Sequence, residues 1–253
     1  MFTIIIATYN AEKYLERAIS SIITQGESFE IIIIDGGSRD GTSGIVDKYK
    51  EYISYFISEP DKGIYDAWNK GIMKAKNEWI MFLGADDMLL PTALKEYSLF
   101  LKDTIENQEF LFVSSRMIMV DASGKTIRVK GWPWEWPKFL KETTIAHPGA
   151  LHNIRLFDRY GLFDTSYRSA GDFELLLRPK DKLSAAFMDK ITVKMQEGGI
   201  SDGLIGIKEH CLAAIKTGGY SPYLAYKNAT WVFIKYNGRK LLRKIGINAY
   251  LKK

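Results

Sequence analysis

Two adjacent carboxylates carry the strongest chemical signal in the chain. Asp86 and Asp87 follow the run Trp79-Ile80-Met81-Phe82-Leu83-Gly84-Ala85, which holds no charge. A run apolar on both faces predicts a buried strand of a mostly parallel sheet. Open α/β sheets take their ligands beyond the carboxyl ends of such strands. Neighbouring carboxylates repel each other and are costly to bury unpaired, so they want a counter-ion. Hard oxygen ligands in that number suit Mg2+ or Mn2+ shared with substrate phosphates. A solvated Asp-Asp turn before a helix, with Pro91 near its first turn, accounts for the same residues without a ligand.

The elements that must position this pair follow in order. Residues 3–7 predict a buried strand, and Thr8-Tyr9-Asn10 comes next. Asn10 suits the N-cap of a helix over 11–25, whose apolar face is Tyr14, Leu15, Ala18, Ile19, Ile22 and Ile23. Residues 29–35 repeat the pattern of a strand ending in an acid, here Asp35, and a turn from Gly36 to Gly41 enters a helix over 42–51. This βαβα start implies parallel strands with right-handed crossovers. A short strand over 54–58, a helix over 64–76 and, past the acidic pair, a helix over 91–102 follow.

Residues 110–120 predict a strand and 126–130 its hairpin partner. Pro133 and Pro137 make the aromatic stretch 132–137 an irregular loop. A β-like stretch from 147, a short helix and turn over 157–163, a helix over 172–178 and a strand over 184–195 come next. The Gly198-Gly199 break, where a lid over the donor could hinge, precedes a helix over 203–216. The fold class is α/β with a mostly parallel central sheet and a basic amphipathic C-terminal helical tail. The organisation expected is one domain over 1–217, split near residue 120 into two halves, and an appendage over 218–253.

Composition narrows the function classes. The net charge of +5 comes from the tail: residues 227–253 hold eight Lys or Arg and no acid, leaving −3 for the remainder. That distribution argues against a nucleic-acid partner. The single cysteine, Cys211, permits no intramolecular disulfide and fits a reducing compartment. No basic segment precedes the first apolar run, and no stretch reaches the ~20 apolar residues of a membrane span. A cytoplasmic protein is expected.

Several ordered motifs then acquire a joint meaning. Ala7-Thr8-Tyr9-Asn10, the turn from Asp35 to Thr42, Asn69-Lys70-Gly71, Gly84-Ala85-Asp86-Asp87 and Gly171-Asp172 occur in that order. Together they resemble the family-2 glycosyltransferases of the GT-A fold, over about residues 2–210. The segment Glu59-Pro60-Asp61-Lys62-Gly63-Ile64-Tyr65-Asp66-Ala67 is similar to the branch that builds bacterial surface polysaccharides such as colanic acid and O-antigen.

The resemblance implies an inverting, Mn2+- or Mg2+-dependent enzyme that moves a sugar from a nucleotide-diphosphate sugar to a lipid-linked oligosaccharide. It implies that Tyr9, between Thr8 and Asn10, stacks on the base, the alternative being a tyrosine packed under the first helix. Asp35 would contact the nucleoside, or else bond the amides of 37 and 38 as a turn acid. Asp61, Lys62, Gly63, Asp66 and Asn69 would line the donor pocket, with Lys62 at a phosphate. A capping Asp61 and a solvated Lys62 form the plainer alternative. Asp87 would ligate the cation, and Asp86 would contact ribose or metal-bound water. Asp172 would be the general base, or merely cap its helix. Two positions depart from the family: Gly36 stands where the commoner turn has a second acid, the usual partner of uracil, and Gly84 stands where many relatives have another acid. The first departure leaves a different nucleotide open.

Outside the motifs, Arg178 suits a structural ion pair. His147 could touch the acceptor or a phosphate, or be a hydrogen-bonded core histidine. Trp132 and Trp134, with Trp136, could stack on an acceptor sugar or cover the sheet edge. The tail mixes Trp231, Phe233, Ile234, Leu241, Ile245, Ile247 and Leu251 with Lys and Arg, which suits peripheral contact with an anionic membrane surface. A sugar-phosphate nucleotidyltransferase would need a Gly-rich phosphate loop near the N-terminus, which is missing. A nucleotide-sugar-binding protein without catalysis would have no use for Asp86, Asp87 and Asp172 together.

Overall fold

The computed structural model describes residues 1–105, 109–198 and 203–244. Its first half runs β1 (Phe2–Thr8), α1 (Leu15–Ile23), β2 (Phe29–Asp35), α2 (Thr42–Lys48), β3 (Ile53–Ser58), α3 (Ile64–Ile72), β4 (Trp79–Gly84), β5 (Met88–Leu89) and α4 (Ala93–Ile105). The second half runs β6 (Phe112–Val120), β7 (Thr126–Lys130), α5 (Trp136–Phe139), β8 (Leu151–Asn153), α6 (Ile154–Tyr160), α7 (Gly171–Leu177), β9 (Ala185–Gln196), α8 (Leu204–Lys216) and α9 (Pro222–Lys244).

Side-chain alternation along the strands creates three layers. Ile4, Ile6, Ile31, Ile33, Met81 and Leu83 join one core, and α1 and α4 cover it with Leu15, Ile19, Ile22, Leu94 and Tyr97. Ile5, Ile32, Ile34, Ile80 and Phe82 join the other, under Tyr65, Trp68 and Ile72 of α3 and Phe173 and Leu176 of α7. Each such side chain contributes ~1.5–3 kcal/mol by leaving water. With both faces covered, the strands need the continuous apolar runs seen in the sequence.

The sheet order is β3-β2-β1-β4-β8-β6-β9-β5, with β7 beside β6. The first four strands are parallel. β8 is antiparallel to β4 and β6, and β9 is parallel to β6. Register levels the strand ends: Thr8 lies opposite Asp35, Asp35 opposite Ser58, and Ala7 opposite Gly84. The carboxyl ends of β1, β2, β3 and β4 therefore form one rim.

Several expectations are corrected. Asn10 does not cap α1, which begins at Leu15 after Tyr14 with no side-chain cap. Asn10 sits at φ 49° and instead accepts a hydrogen bond from the Arg39 amide. The residues after Asp87 form the short strand β5 against β9 before α4 begins. The tryptophan stretch ends in the one-turn helix α5, with Pro137 in the first turn, where its missing N–H costs nothing. Helix α9 is continuous from Pro222, and the tail residues Ile245, Ile247 and Leu251 lie outside the described residues, as does Gly199. Among the described residues no helix is long and apolar enough to cross a membrane.

Candidate active site

Asp35 at the end of β2 is 0% exposed. Its Oδ1 accepts from Thr8 Oγ1 at 2.8 Å and Ser38 Oγ at 2.5 Å. Its Oδ2 accepts from the Gly37 and Ser38 amides at 3.2 and 2.8 Å and from Ser58 Oγ at 2.6 Å. Burial alone would raise its pKa, but the bonds from Ser38, Ser58 and Thr8 outweigh it and hold the carboxyl below its ordinary value. Of the two readings of Asp35, these bonds match the turn acid that takes the amides of 37 and 38, and the acid also ties the ends of β1, β2 and β3 together. Thr8 is buried in the same network. Tyr9, one residue on, is 66% exposed at the rim and does not pack under α1.

The pair after β4 is the opposite case. Asp87 is 4% exposed, yet its contacts are two long ones, from the amides of Gly84 and Gln196, each at 3.3 Å. Burial, with the charge of Asp86, pushes the Asp87 carboxyl up to about 7. Burial also raises Asp86, which is half-buried, against the opposing charge of Arg17. Among the described residues neither carboxylate has an ion-pair partner within 4.0 Å. A buried acid left short of positive charge fits a cation site. Among the described residues no cluster of three or more ligating side chains exists, so the pair would share an ion with ligand oxygens and water. Gly84 is explained sterically: a Cβ there would lie 2.8 Å from Asp87 Oδ2 and 3.0 Å from Asp86 Oδ1.

The segment after β3 folds back along the same rim. The Glu59 amide donates to the Asp35 carbonyl at 2.9 Å, extending the ladder past the strand. Asp61 Oδ1 accepts from the Gly63 amide at 2.8 Å, and Gly63 turns into α3 at φ +116°, a conformation that disfavours any side chain. Lys62 is exposed. Asp66 is half-committed: its Oδ2 accepts from the Lys62 amide at 3.2 Å and faces Lys70 Nζ at 3.4 Å. Asn69 acts as a strap: its amide side chain donates to the Phe163 carbonyl at 2.8 Å and accepts from the Phe163 amide at 2.9 Å, using one of its two N–H donors and one of its two acceptor lone pairs.

Asp172 lies in the first turn of α7, half-buried. Its Oδ1 accepts from Tyr65 Oη on α3 at 2.9 Å, so the acid is tied to α3. Gly171 makes room for this contact, because a Cβ there would meet the Tyr65 ring at 2.8 Å. Burial and the Asp172 charge raise Tyr65 well above its ordinary value, which keeps it a donor. From α8, Glu209 accepts the amides of Arg168, Ser169 and Ala170 and fixes the loop that enters α7. Arg178 chelates buried Glu174 and bonds the carbonyls of Tyr160 and Leu162, the structural role expected of it. Sequence reasoning missed Ser38, Ser58, Tyr65 and Glu209. The one available signal was Tyr65, inside the Glu59–Ala67 segment and beside, not on, the expected apolar face of α3.

Two acceptor candidates are corrected. His147 is 6% exposed, stacked on Trp68 at 5.2 Å and Phe82 at 5.8 Å, with its pKa lowered by burial. It is a core residue, and its buried Nε2 has no hydrogen-bond partner among the described residues. Trp134 packs on Phe139 at 4.6 Å and Trp136 sits beside it, so both cover the core, while Trp132 is 46% exposed.

Polar groups gathered at the carboxyl rim of an α/β sheet stand where such folds take their ligands. The profile of Glycosyl transferase family 2 matches residues 3–149, more than half of the chain, and the protein belongs to that family. It is a glycosyltransferase of GT-A fold. It is 28% identical over 213 residues to a PGL/p-HBAD biosynthesis glycosyltransferase of Mycobacterium bovis, spanning 81% of this chain and 80% of that one. In fold it is similar to S. aureus TarS 1-349 in complex with UDP-GlcNAc, with TM-score 0.65 at 17% identity, covering 90% of this chain and 70% of that one. It is also similar to the mannosyltransferase PcManGT from Pyrobaculum calidifontis in complex with GDP-Man and Mn2+, with TM-score 0.63 at 18% identity, covering 94% of this chain and 75% of that one.

Proposed function

We propose that this glycosyltransferase is inverting and metal-dependent, and that it moves a sugar from a nucleotide-diphosphate sugar to a lipid-linked oligosaccharide in surface-polysaccharide assembly. The observation that carries the reading is the acidic pair, with Asp87 buried and short of positive charge. Asp87, with Asp86 beside it, would hold Mn2+ or Mg2+, and the ion when bound offsets the charge of the leaving diphosphate. The ligands of the two structural neighbours support the donor class, and Mn2+ in one of them supports the ion.

The chain's own residues supply the rest. The exposed Tyr9 ring offers a face to the base. Lys62, on the same rim, offers its charge to a phosphate. Tyr65 engages Asp172 Oδ1, which leaves Oδ2 to take the proton of the acceptor hydroxyl. The hydroxyl oxygen bonds to the anomeric carbon as its bond to the diphosphate breaks, and one displacement inverts the centre. We read residues 1–217 as the catalytic unit and 218–253 as an appendage. Helix α9 exposes Tyr223, Trp231, Phe233 and Leu241 among Lys227, Lys235 and Lys240, which supports peripheral contact with an anionic membrane on its cytoplasmic face.

The test measures nucleotide release from UDP-GlcNAc and GDP-mannose with Mn2+ and a bacterial lipid extract. Wild type is compared with Asp172→Asn, and the product anomer is read by NMR. Loss of release with donor-induced stabilisation kept supports the assignment. Undiminished release in the variant, or a retained anomer, contradicts it.

A further inference from the structure

Gly36 carries no side chain, but the space a side chain would fill is not empty. A Cβ on Gly36 would lie 2.7 Å from Asp61 Oδ2, 3.2 Å from Asp61 Cγ and 3.4 Å from Tyr9 Cδ2. The Asp61 carboxylate thus occupies the position that an acid on residue 36 would reach, beside an exposed aromatic ring. Three neighbouring parallel strands deliver these groups: Tyr9 follows β1, Gly36 follows β2 and Asp61 follows β3. The backbone there is fixed, since the Gly36 amide donates to the Thr8 carbonyl at 2.9 Å and the Glu59 amide to the Asp35 carbonyl at 2.9 Å. Asp61 Oδ1 is committed to the Gly63 amide. Oδ2 is the oxygen turned toward Gly36, whose side-chain position also borders the Tyr9 ring.

We infer that Tyr9, Gly36 and Asp61 form the base-recognition slot of the donor site, and that Asp61 is its specificity-determining residue. The inference rests on the nucleotide-sugar reading above and deepens it. One free carboxylate oxygen is an acceptor without a donor. It selects a base that presents a ring N–H at that edge: uracil or thymine through N3–H, or guanine through N1–H. Cytosine and adenine present a ring-nitrogen lone pair there, which a carboxylate repels. The missing acid at 36 is therefore replaced from a different strand, and the departure at Gly36 leaves the imino preference in place.

The test is a thermal-stability titration with UDP, dTDP, GDP, CDP and ADP, each with Mn2+, on wild type, Asp61→Asn, and the double variant Gly36→Asp with Asp61→Ala. Asparagine keeps an oxygen for the Gly63 amide, and Gly36 is not among the glycines at positive φ, so both proteins are expected to fold. Melting without nucleotide checks that. Wild type should respond to at least one of UDP, dTDP and GDP in preference to CDP and ADP. Asp61→Asn should weaken the preferred nucleotide roughly ten- to a hundred-fold and narrow the gap to CDP. The double variant, which returns the acid to residue 36, should regain most of the loss. Wild-type preference for CDP or ADP overturns the inference, as does an Asp61→Asn protein with unchanged affinity and ranking. In both of those cases the donor-site reading stands, because a nucleotide still binds. If wild type responds to none of the five, the donor-site reading fails and takes the inference with it.

Discussion

Two acids at the ends of β2 and β4 start from the same design and finish differently. Each follows a run of buried apolar residues, 31–34 before Asp35 and 79–83 before the acidic pair, and each is buried at the rim of one parallel sheet. Asp35 collects hydrogen bonds from Thr8, Gly37, Ser38 and Ser58, and its pKa falls. Asp87 collects two long amide contacts and a repelling neighbour, and its pKa rises to about 7. The degree to which the chain satisfies its own carboxylates separates an acid that builds the rim from one that we propose takes a ligand. Asp172 stands between them, oriented by Tyr65 through one oxygen.

The sharpest way to break this contrast is at the intermediate acid. Asp172→Asn should cut turnover ~10²–10⁴-fold with donor affinity unchanged, since only proton transfer is lost. An equal loss in donor affinity, seen by titration calorimetry, would return Asp172 to the structural class. Next in size, Asp35→Ala should lower stability by about 3 kcal/mol in urea denaturation, because it strands buried donors. Asp87→Ala should leave stability unchanged or raise it at pH 8.

Linkage gives the two acids opposite signs. Asp35 has a lowered folded pKa, so its stabilising contribution is present above the ordinary carboxylate range and is lost as pH falls through the depressed value. Asp87 has a raised one, so the folded state favours its protonated form. The metal-free protein should lose stability as pH climbs from about 4 toward about 7 through this group. Mn2+ must displace that proton, so its affinity should rise up to about ten-fold per pH unit below pH 7 and level off above. A flat profile from pH 5.5 to 8 would remove Asp87 from the ion site. The smallest effect belongs to Gly84→Ala. Its Cβ meets two carboxylate oxygens that can shift, so a cost of about 1 kcal/mol and a modestly weaker Mn2+ response are expected.

The same contrast explains what the sequence could reveal. The strands β1, β2 and β4, and the acids that follow β2 and β4, were legible because burial on both faces leaves continuous apolar runs at 4–7, 31–34 and 79–83. Of the residues the family motifs picked out, Asp86 and Asp87 follow β4 at the rim and Asp172 opens α7 against Tyr65. Roles decided by distant partners were not legible. Asn69 straps Phe163, 94 residues away, and Asp172 is held by Tyr65 across 107 residues. His147 vanished into an aromatic cluster drawn from α3, β4 and the residues after α6. The start of α1 was misjudged because the amides of Asn10 and Ala11 go to Ser38 Oγ and Thr42 Oγ1 in the neighbouring turn.

The central claim is that the acidic pair after β4 holds a divalent cation together with a nucleotide diphosphate. The direct test is the melting temperature of wild type, Asp87→Ala and Asp35→Asn with UDP or GDP, with and without Mn2+. Binding to the folded state raises stability by mass action. The account predicts a rise that needs both nucleotide and Mn2+ in wild type, vanishes in Asp87→Ala, and survives in Asp35→Asn on a lower baseline. A rise of equal size in Asp87→Ala, or one indifferent to Mn2+ in wild type, would contradict it.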